Sequence, residues 1–273
     1  MKELTLKDMQ TVSLDILKDV HNFCVKHEIK YTLFAGTQLG AVRHNGFIPW
    51  DDDVDIVMPR PDYERFCQTY KSENGYECFC RENSGCYIAF ARVCDMKRTF
   101  ADCPLIPWIN RQTGIWIDIF PLDGAEDDYE AAKQRMKKIE NVWQKGLKIR
   151  YALETFSTRP SYIKKVKLLL KKIYFFRHLK GDFFDHHIEE CKKIPFGSTE
   201  HYCSWSYNRY GMREYHHIRT IKERILHQFE DGEFYIMAGY DEALTDKFGD
   251  YMKLPPESER QAIHSFNRYY WKD

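Results

Sequence analysis

The sequence predicts a mixed α/β (α+β) fold in which a β-sheet is flanked by helices. Apolar residues recur at helical spacing near the N-terminus, and short apolar strands bounded by turn residues follow them. The chain has 273 residues, of which 43% are hydrophobic and 15% aromatic, so it can build a large core. This order of elements favours the mixed class over a sandwich or a helical bundle.

Local signals give the bounds of each predicted element. Helices are predicted at 4–27, directly after Gly36, at 59–70 and at 240–248, and strands at 31–34, 55–58, 76–80, 87–93 and 115–120. A hairpin is predicted at 229–236. Thr37 is expected to cap the second helix, Pro121 to close the last strand, and Gly249 to stop the last helix.

Charge divides the chain into three predicted parts: 1–125 with most of the sheet, a basic helical region at 126–200, and a C-terminal segment at 201–273. Residues 164–176 have the pattern of a basic amphipathic helix. This helix would either contact an anionic membrane surface or polyanionic acceptor, or form a solvated insert packed on the core, and the insert is favoured.

Composition limits the possible functions. The formal net charge of zero argues against bulk nucleic-acid binding. The charged N-terminus lacks the apolar stretch of a secretory signal, and no apolar run reaches membrane-spanning length, so we expect a cytoplasmic protein. Nine cysteines favour free thiols over disulfides. Those between Cys78 and Cys103 lack the paired C-x-x-C spacing of zinc sites, so we expect no zinc there.

Four carboxylates occupy five positions at the start of an apolar strand: Asp51, Asp52, Asp53 and Asp55. Like charges at this density need water or a cation to meet them. Asp53 and Asp55 are two residues apart on a predicted strand, so they project from one face and suit a shared divalent metal. Asp52 is expected to be a bystander.

A third acidic position, Asp118, interrupts the apolar strand at 115–120 and requires a partner if it is buried. The predicted helix that opens at Gly36 and Thr37, and continues through Gly40, would point its first amides at phosphate oxygens. A helix start, a metal-binding acid pair and a further acid are what transfer at a nucleotide's phosphates requires.

Several other side chains could contact a substrate. Arg43, Arg60 and Arg92 could clamp phosphate oxygens, although structural ion pairs would explain them equally well. His44 could donate to a phosphate or be satisfied by backbone groups.

Three tryptophans lie in or near these segments: Trp50, Trp108 and Trp116. They could enclose a quaternary ammonium group, although core packing is the commoner role for such residues.

Residues 36–55, 114–123 and 251–256 resemble the LicD family of phosphotransferases, which is related to the fukutin-related proteins and belongs to the nucleotidyltransferase-like superfamily. The resemblance implies a nucleotidyltransferase-like mixed sheet, with 1–125 as the catalytic core and the acceptor side at 201–273. Where the family often has Val-Pro, this chain has Met237-Ala238, a difference confined to a loop.

The resemblance also implies an activity: transfer of a substituted phosphate, typically phosphocholine from CDP-choline, to a hydroxyl of a cell-surface glycan such as a lipopolysaccharide, teichoic acid or capsule precursor, with Mg²⁺ or Mn²⁺. By matching position, Asp51, Asp53, Asp55 and Asp118 are the expected catalytic residues, with Asp53, Asp55 and Asp118 as metal ligands. The protein would act in the cytoplasm, with peripheral contact at the inner face of the membrane.

Two alternatives stay open at this point. The same fold could carry a nucleotidyltransferase that moves NMP from an NTP to a small molecule, RNA or protein. The basic helices could instead make the protein a non-catalytic adaptor at a membrane surface.

Overall fold

The mixed α/β prediction is confirmed by the computed structural model, which describes residues 2–84, 88–102, 113–154, 170, 183–206, 209–262 and 268–272. The helices are α1 (Leu6–Lys26), α2 (Ala35–His44), α3 (Arg60–Thr69), α4 (Arg81–Ser84), α5 (Tyr129–Glu154), α6 (Phe183–Cys191), α7 (Arg219–Lys222) and α8 (Tyr240–Phe248). The strands are β1 (Thr32–Leu33), β2 (Asp55–Pro59), β3 (Glu77–Phe79), β4 (Ala91–Asp95), β5 (Thr99–Asp102), β6 (Ile115–Ala125), β7 (His201–Cys203), β8 (Tyr215–His217), β9 (Arg224–Phe229), β10 (Gly232–Met237) and β11 (Arg268–Trp271).

The main sheet is built around β6. Its strand order is β1-β2-β6-β4-β3, with β7 joining β6 and β8 joining β7. β2 and β6 run parallel, whereas β1 pairs antiparallel with β2 and β4 pairs antiparallel with β6. Along β6, residues 115–119 pair with β4, residues 118–122 pair with β2, and residues 123–125 pair with β7, so Asp118 and Ile119 lie between β2 and β4.

The prediction that Pro121 closes this strand is wrong, because β6 continues to Ala125. Successive N–H groups of a strand point to opposite edges, and the Asp118 N–H donates toward β2, to the Val54 carbonyl. An N–H at position 121 would point to the other edge. On that edge, pairing with β4 ends at Ile119 and pairing with β7 begins at Asp123. Pro121 therefore lies opposite neither strand, and its missing N–H removes no hydrogen bond between strands.

The two faces of the sheet differ in chemistry. α1 and α3 cover one face, where Ile56 of β2 and its register partner Ile119 of β6 are buried in the largest apolar cluster. Because side chains alternate along a strand, Asp55 and Asp118 project from the opposite face. The sheet thus has one face covered by the main core and one on which these acids lie beside a second apolar cluster that includes Val57 and Phe120.

Several predicted boundaries are confirmed. α1 begins with a capping box, in which the Thr5 hydroxyl accepts from the Asp8 N–H and the Asp8 carboxylate accepts from the Thr5 N–H. α8 ends at Gly249, whose φ of 72° favours glycine. The hairpin predicted at 229–236 is formed by β9 and β10, although it begins earlier than predicted, at Arg224. The strand predicted at 87–93 is instead β4, which begins at Ala91.

The basic region begins with α5, against which α6 packs. The predicted helix at 164–176 lies, apart from Leu170, outside the described residues. Among the described helices, none combines the length and the apolar character needed to cross a membrane. Membrane contact by the basic region therefore stays a prediction.

Candidate active site

A row of charged side chains crosses the centre of the sheet. Asp55 of β2 lies opposite Asp118 of β6, and Asp118 lies opposite Arg92 of β4. Register partners project from the same face, so three neighbouring strands present these groups together. Asp55 and Asp118, both expected to bind the metal, therefore lie side by side with Arg92, whereas Asp53 lies in the loop before β2.

Arg92 and Asp118 form a buried ion pair. The Arg92 Nε donates to Asp118 Oδ1 at 2.6 Å. The guanidinium also lies over the Trp116 ring, 4.4 Å from its centroid. Burial alone would lower the pKa of Arg92, but the Asp118 carboxylate more than offsets this and raises it. Arg92 Nη1 is buried and has no hydrogen-bond partner among the described residues, so this fixed cation keeps one unsatisfied donor, and Arg92 lines the cavity described below.

The acidic loop before β2 is held by backbone contacts. The Asp51 N–H donates to the Ile48 carbonyl at 2.9 Å, and Gln10 Nε2 of α1 donates to the Asp51 carbonyl at 2.9 Å. With the backbone fixed in this way, carboxylate oxygens of Asp51, Asp52 and Asp53 come within 4.8 Å of one another. The structure thus brings Asp52, expected to be a bystander, into the acidic cluster.

The start of α2 lies beside these carboxylates, but the expected cap is wrong. The helix begins at Ala35, and its N-cap residue Phe34 makes no side-chain capping bond. The Thr37 hydroxyl lies inside the helix and instead accepts from the Asp55 N–H at 2.8 Å, which ties α2 to β2. A Cβ at Gly36 would lie 2.8 Å from Asp51 Oδ2, so only glycine allows this carboxylate so near the helix start.

These groups line a cavity of about 220 Å³. Asp51, Asp53, Asp55, Asp118 and Arg92 form one wall, together with Trp50 and Gly36. The C-terminal third supplies a second wall that the motifs did not predict residue by residue: Arg209, Tyr210, Glu214, Phe248, Glu259 and Gln261. No local pattern in the sequence marks these residues, because only tertiary packing brings them to the acids.

The cavity holds more negative charge than its own cations balance. Desolvation, followed by the charge of Asp53, raises the pKa of Asp51 well above its usual range. Desolvation and the charges of Asp53, Asp118 and Asp51 do the same to the pKa of Asp55, although Lys247 opposes this. A clustered set of carboxylate oxygens with raised pKa values fits a hard divalent cation such as Mg²⁺ or Mn²⁺.

This charge excess predicts an unusual pH dependence. Because the pKa values of Asp51 and Asp55 are raised in the folded state, these groups keep their protons there at pH values where the unfolded chain has lost them. With metal removed, they therefore make the free energy of unfolding fall as pH rises past about 4. We expect Asp55→Asn to stabilise the metal-free protein, with a Tm advantage over wild type that grows from pH 5 to pH 8. Calorimetry in chelator measures this difference, and a constant or shrinking advantage would contradict the charge excess.

Other predicted substrate contacts lie outside this cavity. Arg43 donates from Nη1 to the Tyr251 carbonyl at 2.7 Å and from Nε to His44 Nε2 at 3.0 Å, so these two residues join α2 to the C-terminal segment. A Cβ at Gly40 would meet the Gly46 carbonyl at 2.5 Å, which makes Gly40 a packing position.

Arg60 and Trp116, which were also predicted to contact substrate, do not line the cavity. Arg60 forms a two-bond ion pair with Asp123, both buried. Trp116 lies beneath Arg92 and does not line the cavity, and Trp108 is outside the described residues. Of the three tryptophans, Trp50 is therefore the one seen at the cavity.

Comparison with known proteins matches this chain to a family. The LicD/FKTN/FKRP nucleotidyltransferase domain matches residues 28–149, which include the cavity acids Asp51, Asp53, Asp55 and Asp118. Lipopolysaccharide cholinephosphotransferase LicD of Haemophilus influenzae is 31% identical over 98% of this chain and 99% of that protein. Uncharacterized proteins of Rickettsia typhi and Rickettsia prowazekii are 42% and 43% identical over shorter stretches, 25% and 23% of this chain and 22% and 24% of their own. The chain therefore belongs to the LicD family and is a phosphotransferase.

Proposed function

We propose that this protein transfers phosphocholine from CDP-choline to a hydroxyl of a cell-surface glycan and releases CMP. The observation that carries the proposal is the cavity in which clustered carboxylates face a buried arginine with a spare donor. The full-length similarity to a lipopolysaccharide cholinephosphotransferase supports the choice of donor group and acceptor class.

A divalent cation would be held by Asp51, Asp52 and Asp53, with Asp55 beside them. The sequence-based set was Asp53, Asp55 and Asp118, but the ion pair with Arg92 engages the Asp118 carboxylate. When bound, Mg²⁺ or Mn²⁺ would neutralise the diphosphate of the donor and the charge that develops on CMP.

The chain's own residues would bind and orient the donor. Arg92 Nη1 would donate to a phosphate oxygen, and Asp118 would keep the guanidinium in position for this contact. The first turn of α2, where Ala35 and Gly36 line the cavity, has backbone N–H groups that lack partners within the helix and suit further phosphate oxygens.

The acceptor hydroxyl oxygen would attack the phosphorus that bears choline, and the bond from that phosphorus to the oxygen shared with CMP would break. The hydroxyl proton would pass to Asp55, the cavity carboxylate that is neither assigned to the cation nor paired with Arg92. CMP leaves with the electron pair of the broken bond.

The aromatic wall suits the choline group. A quaternary ammonium offers no N–H donor and is bound by ring faces and nearby carboxylates. Tyr210 and Phe248 meet edge to face at 5.6 Å between ring centroids, and Glu259 lines the same cavity. Trp50 adds a third ring.

Product analysis tests the proposal against nucleotidyl transfer, because the two reactions attack different phosphorus atoms. We expect wild-type protein with Mg²⁺ and a glycan acceptor to release CMP from CDP-choline, and to release less from CDP-ethanolamine. Pyrophosphate from ATP, with no CMP from CDP-choline, would favour the nucleotidyltransferase and overturn the proposal. Cytoplasmic location and peripheral contact with a membrane belong to the same proposal, and binding to anionic liposomes measures the contact.

A further inference from the structure

Three cysteines converge at the edge of the sheet, away from the cavity. Cys67 lies in α3, Cys78 in β3, and Cys80 follows β3. Their sulfur atoms all lie within 4.8 Å of one another, and none of the three is in a disulfide among the described residues. Cys67 and Cys80 are buried, while Cys78 is half-buried.

The strand register explains this convergence. Cys78 pairs with Val93 of β4, which belongs to the apolar cluster covered by α1 and α3. Two residues later, Cys80 returns to this face, where α3 presents Cys67. Phe79 lies between the two cysteines and pairs with Arg92, on the face that carries the cavity. The thiols and the carboxylates therefore lie on opposite faces of the sheet.

The geometry points to a metal site, and we propose that Cys67, Cys78 and Cys80 bind one zinc ion as thiolates. A tetrahedral Zn–S bond of about 2.3 Å places ligand sulfurs roughly 3.8 Å apart, so each sulfur needs to move by less than about 1 Å. Zinc binding displaces the three thiol protons to solvent. Water, which can reach the half-buried Cys78, would complete the fourth position.

Ligand chemistry keeps this site separate from the acidic one. Thiolates select soft or borderline metals such as Zn²⁺, whereas carboxylates suit Mg²⁺ and Mn²⁺. A zinc ion here would join α3 to β3, a strand of three residues at the sheet edge. It would thereby stabilise the position of β3, which pairs with β4, and β4 is the strand that carries Arg92.

Cobalt substitution tests the site in the full-length protein, reduced and handled without oxygen. We expect one Co²⁺ per chain to give near-ultraviolet thiolate-to-cobalt absorption, and one Zn²⁺ to abolish it, even with excess Mg²⁺. Cys78→Ser, the least buried of the three changes, should lose the band, and Cys24→Ser should keep it because Cys24 is a buried cysteine outside the cluster. Zinc should also raise the Tm of wild type by several degrees but not that of Cys78→Ser.

Two results would overturn the proposal: no thiolate band in reduced wild-type protein, or a band of equal strength in Cys78→Ser. Carboxylates give no such band, so either result leaves the phosphotransfer proposal untouched. If the protein released no CMP but kept the cobalt band, that result would count against the phosphotransfer proposal and not against the zinc site.

Discussion

We expect Asp53→Asn to lower the rate of CMP release from CDP-choline by about 10²–10³-fold, the usual loss when one group that stabilises transition-state charge is removed. Asp53 is central to the acidic cluster, because its carboxylate lies near those of Asp51 and Asp52 and lines the cavity. The amide that replaces it keeps the shape but removes one negative charge from the proposed cation site. Steady-state assays at saturating Mg²⁺ and Mn²⁺ measure the effect.

Asp231→Asn is the matched control. Asp231 is an exposed carboxylate in the β9–β10 turn, where it pairs with Lys18 at 2.7 Å. Exposed pairs of this kind contribute little, so the control should keep wild-type turnover and Tm. Full turnover by a folded Asp53→Asn protein would refute the role assigned to the cluster, and would revive the hypothesis of a non-catalytic adaptor.

Arg60→Ala should have the largest effect on stability. Arg60 donates from Nε and Nη2 to the two carboxylate oxygens of Asp123, at 2.8 and 2.6 Å, and both residues are buried. Removing one partner leaves an unpaired charge in the core, which typically costs about 3–5 kcal/mol. For a chain of this size we expect Tm to fall by about 6–20 °C. Turnover per folded molecule should stay near that of wild type, because Arg60 does not line the cavity.

Arg65→Ala on the same helix is the control for Arg60. Arg65 pairs with Asp62 at the surface, with its side chain 48% exposed, so Tm should change little. If Arg60→Ala instead keeps the wild-type Tm but raises the KM for CDP-choline, the phosphate contact first inferred for Arg60 is correct and the structural role is wrong.

Local sequence signals predicted much of the fold. α1, α3, α8 and the β9–β10 hairpin follow from residues close in sequence: periodic apolar positions, the Pro61 and Asp62 start of α3, and the stop at Gly249. The spacing of Asp53 and Asp55 likewise placed both acids at one cavity.

Features that depend on distant partners could not be predicted in this way. Whether an arginine binds phosphate or pairs with an acid depends on what lies across the fold: Arg60 met Asp123, and Arg92 met Asp118. The extension of β6 past Pro121 needed a change of neighbouring strand. The wall formed by Tyr210 and Phe248 required the C-terminal segment to pack over the sheet. The division at 126 and 200 stays a prediction.

Calorimetric titration of CDP-choline, with and without Mn²⁺, tests the central claim most directly, because it asks whether the acidic cavity binds metal and donor together. Wild-type protein should bind one CDP-choline per chain with Mn²⁺ present, and binding should weaken by at least about tenfold without the metal. Asp53→Asn should show only the weak binding in both conditions, whereas Asp231→Asn should behave as wild type. Tight binding of CDP-choline that weakens neither without the metal nor in Asp53→Asn would contradict the claim that the acidic cavity binds metal and donor together.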